Sequence, residues 1–302
     1  GVAEPSGSLE HSIRMYVRPA LLLRSEKLLE PEQTGLLFPH LGRLGNAIRE
    51  IVSATAVARQ QKIGHLVVQG FSLFSSGGDL SNPGHLTTPG GLNVWIDKNE
   101  RHVNSPPAPR ALVRWSRREV ALVSDAGAWK ETRAVLPPAL MARKWDHKTL
   151  VVHLRGGDVF GGRNPRSYGQ PPLSFYLWVI DQKSWSKVVI VHQDTQNPVL
   201  KPLEAQLKAR GIDVETFSGS LVDDLTVLLG AHAIVAGRGT FVPAIVGLSD
   251  TIHEVYYFEN KFVLFPEKPT VKIIRVIDAH GDYRKAVLSD NWTNSREQRD
   301  LM

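Results

Sequence analysis

The sequence predicts an α/β protein with two lobes, each built around a parallel β-sheet. Short apolar runs typical of buried strands alternate with amphipathic stretches of helical period. Glycine-rich turns follow several of these runs, at the place where open α/β sheets bind ligands. The chain of 302 residues is also long enough for two lobes of ordinary size.

The composition is that of a folded protein that handles anions. Hydrophobic residues make up 42% of the chain and charged residues 22%. A formal net charge of +6 suits nucleotide phosphates, nucleic acid or an anionic membrane surface. The basic residues are scattered in short groups such as Arg114, Arg117 and Arg118, so nucleic acid is not expected as a partner. No apolar run approaches the roughly 20 residues of a membrane-spanning helix, so no membrane span is expected.

The amino-terminal lobe begins with a βαβ unit. Residues 35–38 form an apolar run typical of a strand, residues 39–45 a turn, and residues 65–68 the next strand. Such a unit implies parallel strands with a right-handed crossover. The helix between the strands is expected to bury a face composed of Ile48, Ile51, Val52, Thr55 and Ala58.

The rest of this lobe is less regular. Residues 74–109 are rich in Gly, Ser, Asn and Pro, which favours loops and short elements. Residues 111–123 predict one or two strands, and residues 128–140 a proline-broken connection. The lobes are expected to join near residues 139–148.

The carboxyl-terminal lobe shows the strand–helix alternation of a doubly wound sheet. Strands are predicted at residues 150–154, 187–191, 213–217, 233–236, 252–257 and 271–277. Helices are predicted at residues 173–181, 198–210 and 221–230, with another from Val242. The resulting division is an arm (1–34), an amino-terminal lobe (35–145), a carboxyl-terminal lobe (146–278) and a tail (279–302).

The most informative motif is His-Leu-Arg-Gly-Gly-Asp at residues 153–158, directly after a buried strand. Gly156 and Gly157 let the backbone approach an anion closely. The guanidinium of Arg155 suits phosphate oxygens, and Asp158 is placed to brace the turn. An ordinary strand-to-loop turn is the alternative, but the position at a strand end favours an anion site.

A second motif spans residues 223–241. Asp224 lies at the start of a helix, and the next strand leads into a Gly237-Arg-Gly239 turn before another helix. A helix amino terminus behind a glycine turn suits a pyrophosphate. Thr240 either caps that helix or offers its hydroxyl to a phosphate. A tight turn and cap without a ligand is the alternative.

A third motif is the first strand-to-helix turn, residues 40–46. The spacing of Gly42 and Gly45 departs from the dinucleotide fingerprint, so NAD binding is not expected. Other signatures are absent from the sequence: there is no P-loop, no His-Glu-x-x-His and no Gly-x-Ser-x-Gly. The chain has no cysteine, which excludes a disulfide framework and a cysteine nucleophile.

In this order the three motifs resemble those of the fucosyltransferase-like glycosyltransferases, which include the α-1,2-fucosyltransferases and their α-1,6- and protein O-fucosyltransferase relatives. The turn at residues 42–46 and the alanine-containing helix after it are similar to the first family motif. Residues 153–158 are similar to the family's His-x-Arg-x-Gly-Asp, and residues 224–241 to its third segment. The resemblance spans about residues 35–250.

The chain departs from the family pattern at two places. Gly156 stands where many relatives carry a second basic residue, and Arg163 or Arg166 is a candidate replacement. Val242 and Pro243 stand where relatives carry an aromatic pair. These departures bear on the donor and the acceptor more than on the fold.

The resemblance implies a GT-B-like arrangement, in which two Rossmann-like lobes with parallel sheets face a cleft. It also implies inverting transfer from GDP-fucose to a glycan, a protein-linked acceptor or another hydroxyl, without a metal or further cofactor. The sequence has no Asp-x-Asp pair of the kind that many sugar transferases use to hold a metal. Arg155 is expected to stabilise the leaving diphosphate. The other expected substrate-binding residues are Gly42, Gly45, Asn46, His153, Gly156, Gly157, Asp158, Asp224, Gly239, Thr240 and Phe241.

His40 is the candidate to accept the proton of the acceptor hydroxyl, because its turn is expected to face the cleft. A turn histidine without that role is the alternative. Two other functions stay open: transfer from a different nucleotide sugar, such as GDP-mannose or a UDP-sugar, and non-catalytic binding of a nucleotide or carbohydrate. A secretory lumen and a bacterial cytoplasm both fit the sequence.

Overall fold

Two β-sheets organise the protein, one of five strands and one of six. The computed structural model describes residues 32, 34–38, 44–69, 84–97, 111–114, 125–136, 140, 143–161, 166–259 and 265–302. The α/β class with Rossmann-like parallel sheets is confirmed. Within these ranges, no helix is long and apolar enough to cross a membrane.

The five-stranded sheet belongs to the amino-terminal part of the chain. Its strands are β1 (Thr34–Phe38), β2 (His65–Gln69), β3 (Gly84–Thr87), β4 (Asn93–Asp97) and β5 (Ala111–Arg114), in the order β3-β4-β2-β1-β5. The described pairs are parallel except β3 with β4. Residues 74–109 were expected to form loops and short elements rather than a regular layer. The short strands β3 and β4 instead join the sheet, because β4 pairs with β2 and β3 pairs with β4.

Helix α1 (Leu44–Gln61) lies between β1 and β2, as predicted. It is buried on more than one face, since every residue from 51 to 58 is buried. The residues expected on its inner face are all buried, namely Ile48, Ile51, Val52, Thr55 and Ala58. Gly45 and Asn46 were expected in the preceding turn, but they lie in the first turn of the helix.

Helix α2 (Ala126–Ala134) occupies most of the segment expected to be a broken connection, so that expectation is wrong. Asp125 caps the helix by accepting a hydrogen bond of 2.7 Å from the amide of Gly127. Ala128 and Trp129 are buried on its inner side. The two prolines at 137 and 138 follow the helix and do not interrupt it.

The six-stranded sheet follows the prediction closely. Its strands are β6 (Thr149–Leu154), β7 (Lys187–His192), β8 (Asp213–Phe217), β9 (Ala233–Ala236), β10 (Glu254–Phe258) and β11 (Lys272–Val276). They are parallel, in the order β11-β10-β9-β6-β7-β8. The helices between them are α3 (Leu173–Asp181), α4 (Leu200–Ala209), α5 (Leu221–Leu229) and α6 (Phe241–Leu248). Because β6 runs beside both β7 and β9, the strand order reverses between β6 and β9.

A single hydrophobic core joins helices of both lobes to one face of the six-stranded sheet. Ile51 of α1, Trp129 of α2, Ile245 of α6 and Val151 of β6 belong to it. The edge of the Trp129 indole packs directly on Gly247 of α6. The lobes are therefore held together by apolar packing as well as by the chain that connects them.

The polar tail after Asp278 packs against the opposite face of the six-stranded sheet. Trp292 is fully buried, and its indole N–H donates to the carbonyl of Val159 at 2.9 Å. The last residue, Met302, accepts a hydrogen bond from the amide of Leu173. Helix α7 (Arg296–Asp300) lies between these contacts. The tail thereby supports the loop that follows β6.

Gly45 allows the start of α1 to pack directly on the start of α6. A Cβ atom at this position would lie 2.7 Å from both the carbonyl carbon of Thr240 and the nitrogen of Phe241. Both atoms belong to the backbone, so neither can rotate away. This close approach brings an element of the first lobe to the amino end of a helix of the second lobe.

Replacing Gly45 with alanine is expected to destabilise the protein by about 1–3 kcal/mol, because the added methyl group overpacks this contact. The matched control is Gln60→Ala at an exposed position of the same helix, where we expect a change within about 0.5 kcal/mol. Urea unfolding measures both variants. Equal stability of the two variants would contradict the close approach.

Candidate functional site

The candidate site lies where the strand order of the six-stranded sheet reverses. Arg155 follows β6, and the turn at residues 237–240 follows β9. Because the two strands are parallel neighbours, both segments emerge from the same side of the sheet, at the carboxyl ends of the strands. Ligands of open α/β sheets bind at such a switch point, beyond the carboxyl ends of the strands. The structure thus brings two of the predicted motifs together.

Arg155 is fixed by three contacts. Its Nη1 donates to the carbonyl of Arg238 at 3.0 Å, and its Nη2 donates to Asp158 Oδ2 at 3.1 Å. The guanidinium carbon lies 4.4 Å from the centre of the Tyr168 ring, in the geometry of a cation–π contact. The side chain is 15% exposed. The result is a partly covered cation, balanced in part by Asp158, at the switch point.

The glycines of the turn at residues 237–240 make room for this arrangement. Gly239 has a φ of +147°, and the Nη1 atom of Arg155 occupies the place of a Cβ atom there. A Cβ atom on Gly237 would lie 2.9 Å from the carbonyl oxygen of His153. Both glycines are therefore required by the close approach of the segment after β6.

The Gly156-Gly157 turn is braced by Asp194, which the sequence analysis did not select. The amide of Gly157 donates to Asp194 Oδ2 at 2.6 Å, and Gly157 has a φ of +59°. Asp158, expected to brace the turn, pairs with Arg155 instead. The signal for Asp194 was its position just after β7, whose end lies beside that of β6. With this amide engaged, the roles of Gly156 and Gly157 toward a substrate stay predictions.

His153 lies beneath the site. Its ring packs on that of Phe241, with the ring centres 5.3 Å apart. Its Nδ1 atom is buried and has no hydrogen-bond partner among the described residues. Burial and the neighbouring charge of Arg155 lower the pKa of His153 from its ordinary value of 6.5 to about 3. The imidazole is therefore neutral near pH 7.

The amino end of α6 offers backbone donors next to Arg155. Thr240 precedes the helix, but its side chain makes no capping hydrogen bond within the described part of the chain. The first amides of a helix have no acceptor in their own helix, and Pro243 contributes none. Gly45 packs against this end from the first lobe, beside the half-buried Asn46. The role of the Thr240 hydroxyl toward a ligand stays a prediction.

A small pocket of about 10 Å³, the space of roughly one water molecule, opens beside this helix end. The turn forms one side of it, and Tyr257, Phe258 and Phe265 line the other. The ring of Phe258 itself packs on Phe175, in the core on the opposite face of the sheet. The ring centres of Tyr257 and Phe265 are 5.1 Å apart. Ligand pockets typically measure ~300–1,000 Å³, so this pocket is too small to hold a base unless its walls move.

Arg238 is the second residue that the sequence analysis did not select, although it stands inside a selected turn. It lines the pocket and is only 8% exposed. A largely buried arginine beside an aromatic pocket is a strong candidate for anion binding. The sequence showed its cationic character but gave no sign of its burial.

Three predicted residues are not placed at this point by the structure. Asp224 lies in the first turn of α5, after β8, and accepts a hydrogen bond from the amide of Gly219 at 3.1 Å. Burial raises the pKa of Asp224, although that amide and His192 act in the opposite direction. His40 and Gly42 lie outside the described residues, and their roles stay predictions.

Comparison with known proteins gives a likeness of fold. No protein-family profile matches the chain, and no curated protein matches it by sequence. POFUT1 in complex with GDP is 11% identical with a TM-score of 0.45, over 76% of this chain and 99% of that chain. E. coli ADP-heptose LPS heptosyltransferase II is 12% identical with a TM-score of 0.42, over 82% and 91% of the two chains. A family 9 glycosyl transferase from Veillonella parvula is 10% identical with a TM-score of 0.43, over 91% and 96%. At these values the matches assign neither a family nor an activity.

Gly239→Ala is expected to destabilise the protein because the methyl group would displace the Arg155 guanidinium. The matched control is Gly211→Ala: Gly211 also has a positive φ, of +72°, but a Cβ atom there would meet nothing within 4 Å. Both variants carry the backbone cost of alanine at a positive φ. We expect the loss at Gly239 to be larger by about 1–3 kcal/mol in urea unfolding. Equal losses would show that Arg155 does not occupy this place.

The protein is expected to become less stable as the pH is lowered from 6.5 to about 3, because of His153. Below pH 6.5 the unfolded chain binds a proton that the folded protein, with its pKa of about 3, does not bind. The neutral His153 therefore makes its full contribution to stability above about pH 6.5. It falls by up to about 1.4 kcal/mol per pH unit as the pH drops towards 3. In unfolding measured from pH 7 to pH 5, His153→Asn should show a flatter dependence. An unchanged slope would contradict the buried neutral imidazole.

Proposed function

We propose that the protein is a GT-B-like glycosyltransferase that moves a sugar from a nucleoside-diphosphate donor to a hydroxyl of a glycan or protein-linked acceptor. One observation carries this proposal. A partly covered arginine and the amino end of a helix meet at the switch point of a parallel sheet, beside a small pocket lined in part by aromatic residues. Cationic side chains and helix amino ends bind phosphates, and aromatic rings stack with bases.

GDP-fucose is the donor that we propose first, because the three motifs of the sequence resemble those of fucosyltransferases. The adjacent rings of Tyr257 and Phe265, residues that line the pocket, do not distinguish one nucleobase from another. Another nucleotide sugar therefore remains the main alternative, and binding without turnover is the second.

In the proposed reaction the acceptor oxygen attacks the anomeric carbon of the donor. The bond from that carbon to the diphosphate oxygen breaks, the bonding electrons leave with the diphosphate, and the configuration inverts. Arg155 and the amino end of α6 would stabilise the charge that develops on the leaving oxygen. In this role they would supply the positive charge that other transferases take from a divalent metal.

The proton of the acceptor hydroxyl needs a base or must leave late in the reaction. We propose His40 as that base, from its place in the turn before α1. The helix that follows His40 in the chain, α1, packs on α6 at Gly45, and this contact is the support for the proposal. His153 is not suited to the role, since its pKa of about 3 makes it a weak base and its Nδ1 atom is buried.

Calorimetric titration with GDP, UDP, ADP and GDP-fucose in EDTA tests the proposal. We expect GDP and GDP-fucose to bind without a metal. Selective binding of UDP or ADP would retain a transferase with a different donor. Failure to bind any of the four would contradict the proposed function.

Arg155→Ala is expected to lower sugar transfer by about 100-fold or more, because charge stabilisation at a leaving group has contributions of that order. The matched control is Arg210→Ala. Arg210 precedes β8 and pairs with Asp181, at the amino ends of the strands, away from the site. Its loss should cost at most about 1 kcal/mol of stability and leave transfer unchanged. Product formation measured by mass spectrometry decides, and full turnover by the Arg155 variant would exclude this role.

A further inference from the structure

We propose that Arg238 is a second diphosphate ligand, which binds the phosphates of the donor together with Arg155. The inference rests on the proposed function for the identity of the donor, but the diphosphate site itself is argued from the geometry around Arg238. The ligand chemistry is a diphosphate, either within a nucleotide or as free pyrophosphate.

The backbone of Arg238 is held firmly, independently of its own side chain. Its amide donates to Gln170 Oε1 at 3.0 Å, and its carbonyl accepts from Arg155. Gln170 is fully buried, and its carbonyl accepts from the Tyr283 hydroxyl at 2.6 Å. A change in the guanidinium therefore leaves these contacts available.

The guanidinium of Arg238 is buried but incompletely satisfied. Its Nη1 donates to the carbonyl of Leu288 at 3.0 Å. The other two nitrogens, Nε and Nη2, have no partner within the ranges that the structure describes. Burial lowers the pKa of this group from its ordinary value. Neither nitrogen is among the fully buried atoms that lack a partner, so both donors keep some contact with solvent and are accessible to a phosphate oxygen.

Nearby carboxylates do not compensate this charge by direct contact. Asp290 and Glu259 both attract it electrostatically. Within the described part of the chain, neither acid forms an ion pair with Arg238. Glu259 pairs instead with Arg284 at 3.1 Å and accepts the amide of Asp278.

Three features place an anion at this point. Arg238 lines the pocket, the carbonyl of the same residue binds Arg155, and the amino end of α6 begins three residues later. A diphosphate carries charge on two phosphorus centres, so two cations from adjacent strand ends match it better than one. The arginine fork also offers the paired donors that phosphate oxygens accept.

Titration calorimetry in EDTA with inorganic pyrophosphate, GDP and guanosine tests the site in the wild type and in Arg238→Gln. Pyrophosphate has no base, so its binding reports the anion site alone. We expect Arg238→Gln to weaken pyrophosphate and GDP by roughly 10- to 100-fold, the effect of losing a charged hydrogen bond. Guanosine binding should be unchanged. The matched control, Arg210→Gln, removes an arginine at the amino ends of the strands and should bind all three ligands as the wild type does.

A purely structural role for Arg238 predicts a different result: a lower Tm with equal effects on GDP and guanosine, which would overturn the proposal. Failure of the wild type to bind either pyrophosphate or GDP would overturn it too. If Arg238→Gln does not fold, Arg238→Lys decides, since lysine keeps the charge but lacks the fork. We expect that variant to bind pyrophosphate several-fold more weakly, and wild-type affinity would refute the site.

The outcomes separate this inference from the proposed function. Pyrophosphate binding that depends on Arg238, without any sugar transfer, would support the diphosphate site and contradict the transferase. Sugar transfer together with unchanged GDP affinity in Arg238→Gln would support the transferase and contradict the role of Arg238 in the diphosphate site.

Discussion

The close approach of α1 to α6 at Gly45 is the constraint on which the candidate site depends. It places the first turn of a helix from one lobe against the amino end of a helix from the other, with no room for a side chain between them. The apolar core that includes Ile51, Trp129 and Ile245 holds the helices in this position. Interiors pack densely and transmit small displacements, so the geometry at Thr240 follows from packing some distance away.

Charge at the site is distributed unevenly, and this asymmetry suggests its function. Asp158 partly balances Arg155, and Asp194 occupies the amide of Gly157. Arg238 is buried without an ion-pair partner among the described residues, and the amino end of α6 adds a partial positive charge. Asp290 and Glu259 attract Arg238 but do not pair with it within the described ranges. In our proposal a bound diphosphate would supply the direct partner that Arg238 lacks.

The carboxyl-terminal lobe could be predicted almost element by element, because its strands are apolar and separated by helices with clear boundaries. The first sheet was harder. Strands β3 and β4 lie in a segment rich in Gly, Ser, Asn and Pro, and they form by pairing, β4 with β2 and β3 with β4. Helix α2 was missed because the prolines at 137 and 138 suggested a break, although the cap at Asp125 precedes the helix. Asp194 stands just after β7, a position that could have marked it, whereas nothing in the sequence around Arg238 indicated its burial.

The sequence by itself determined the α/β class, the succession of strands and helices along the second lobe, and the place of Arg155 at a strand end. These follow from periodicity and turn residues, which act over a few neighbouring positions. Only the tertiary structure decided which groups meet. The bond from Arg155 to the carbonyl of Arg238 spans 83 positions, and the contact of Gly45 with Phe241 joins two lobes. Burial of a cation likewise depends on everything packed around it, which no local stretch of sequence encodes.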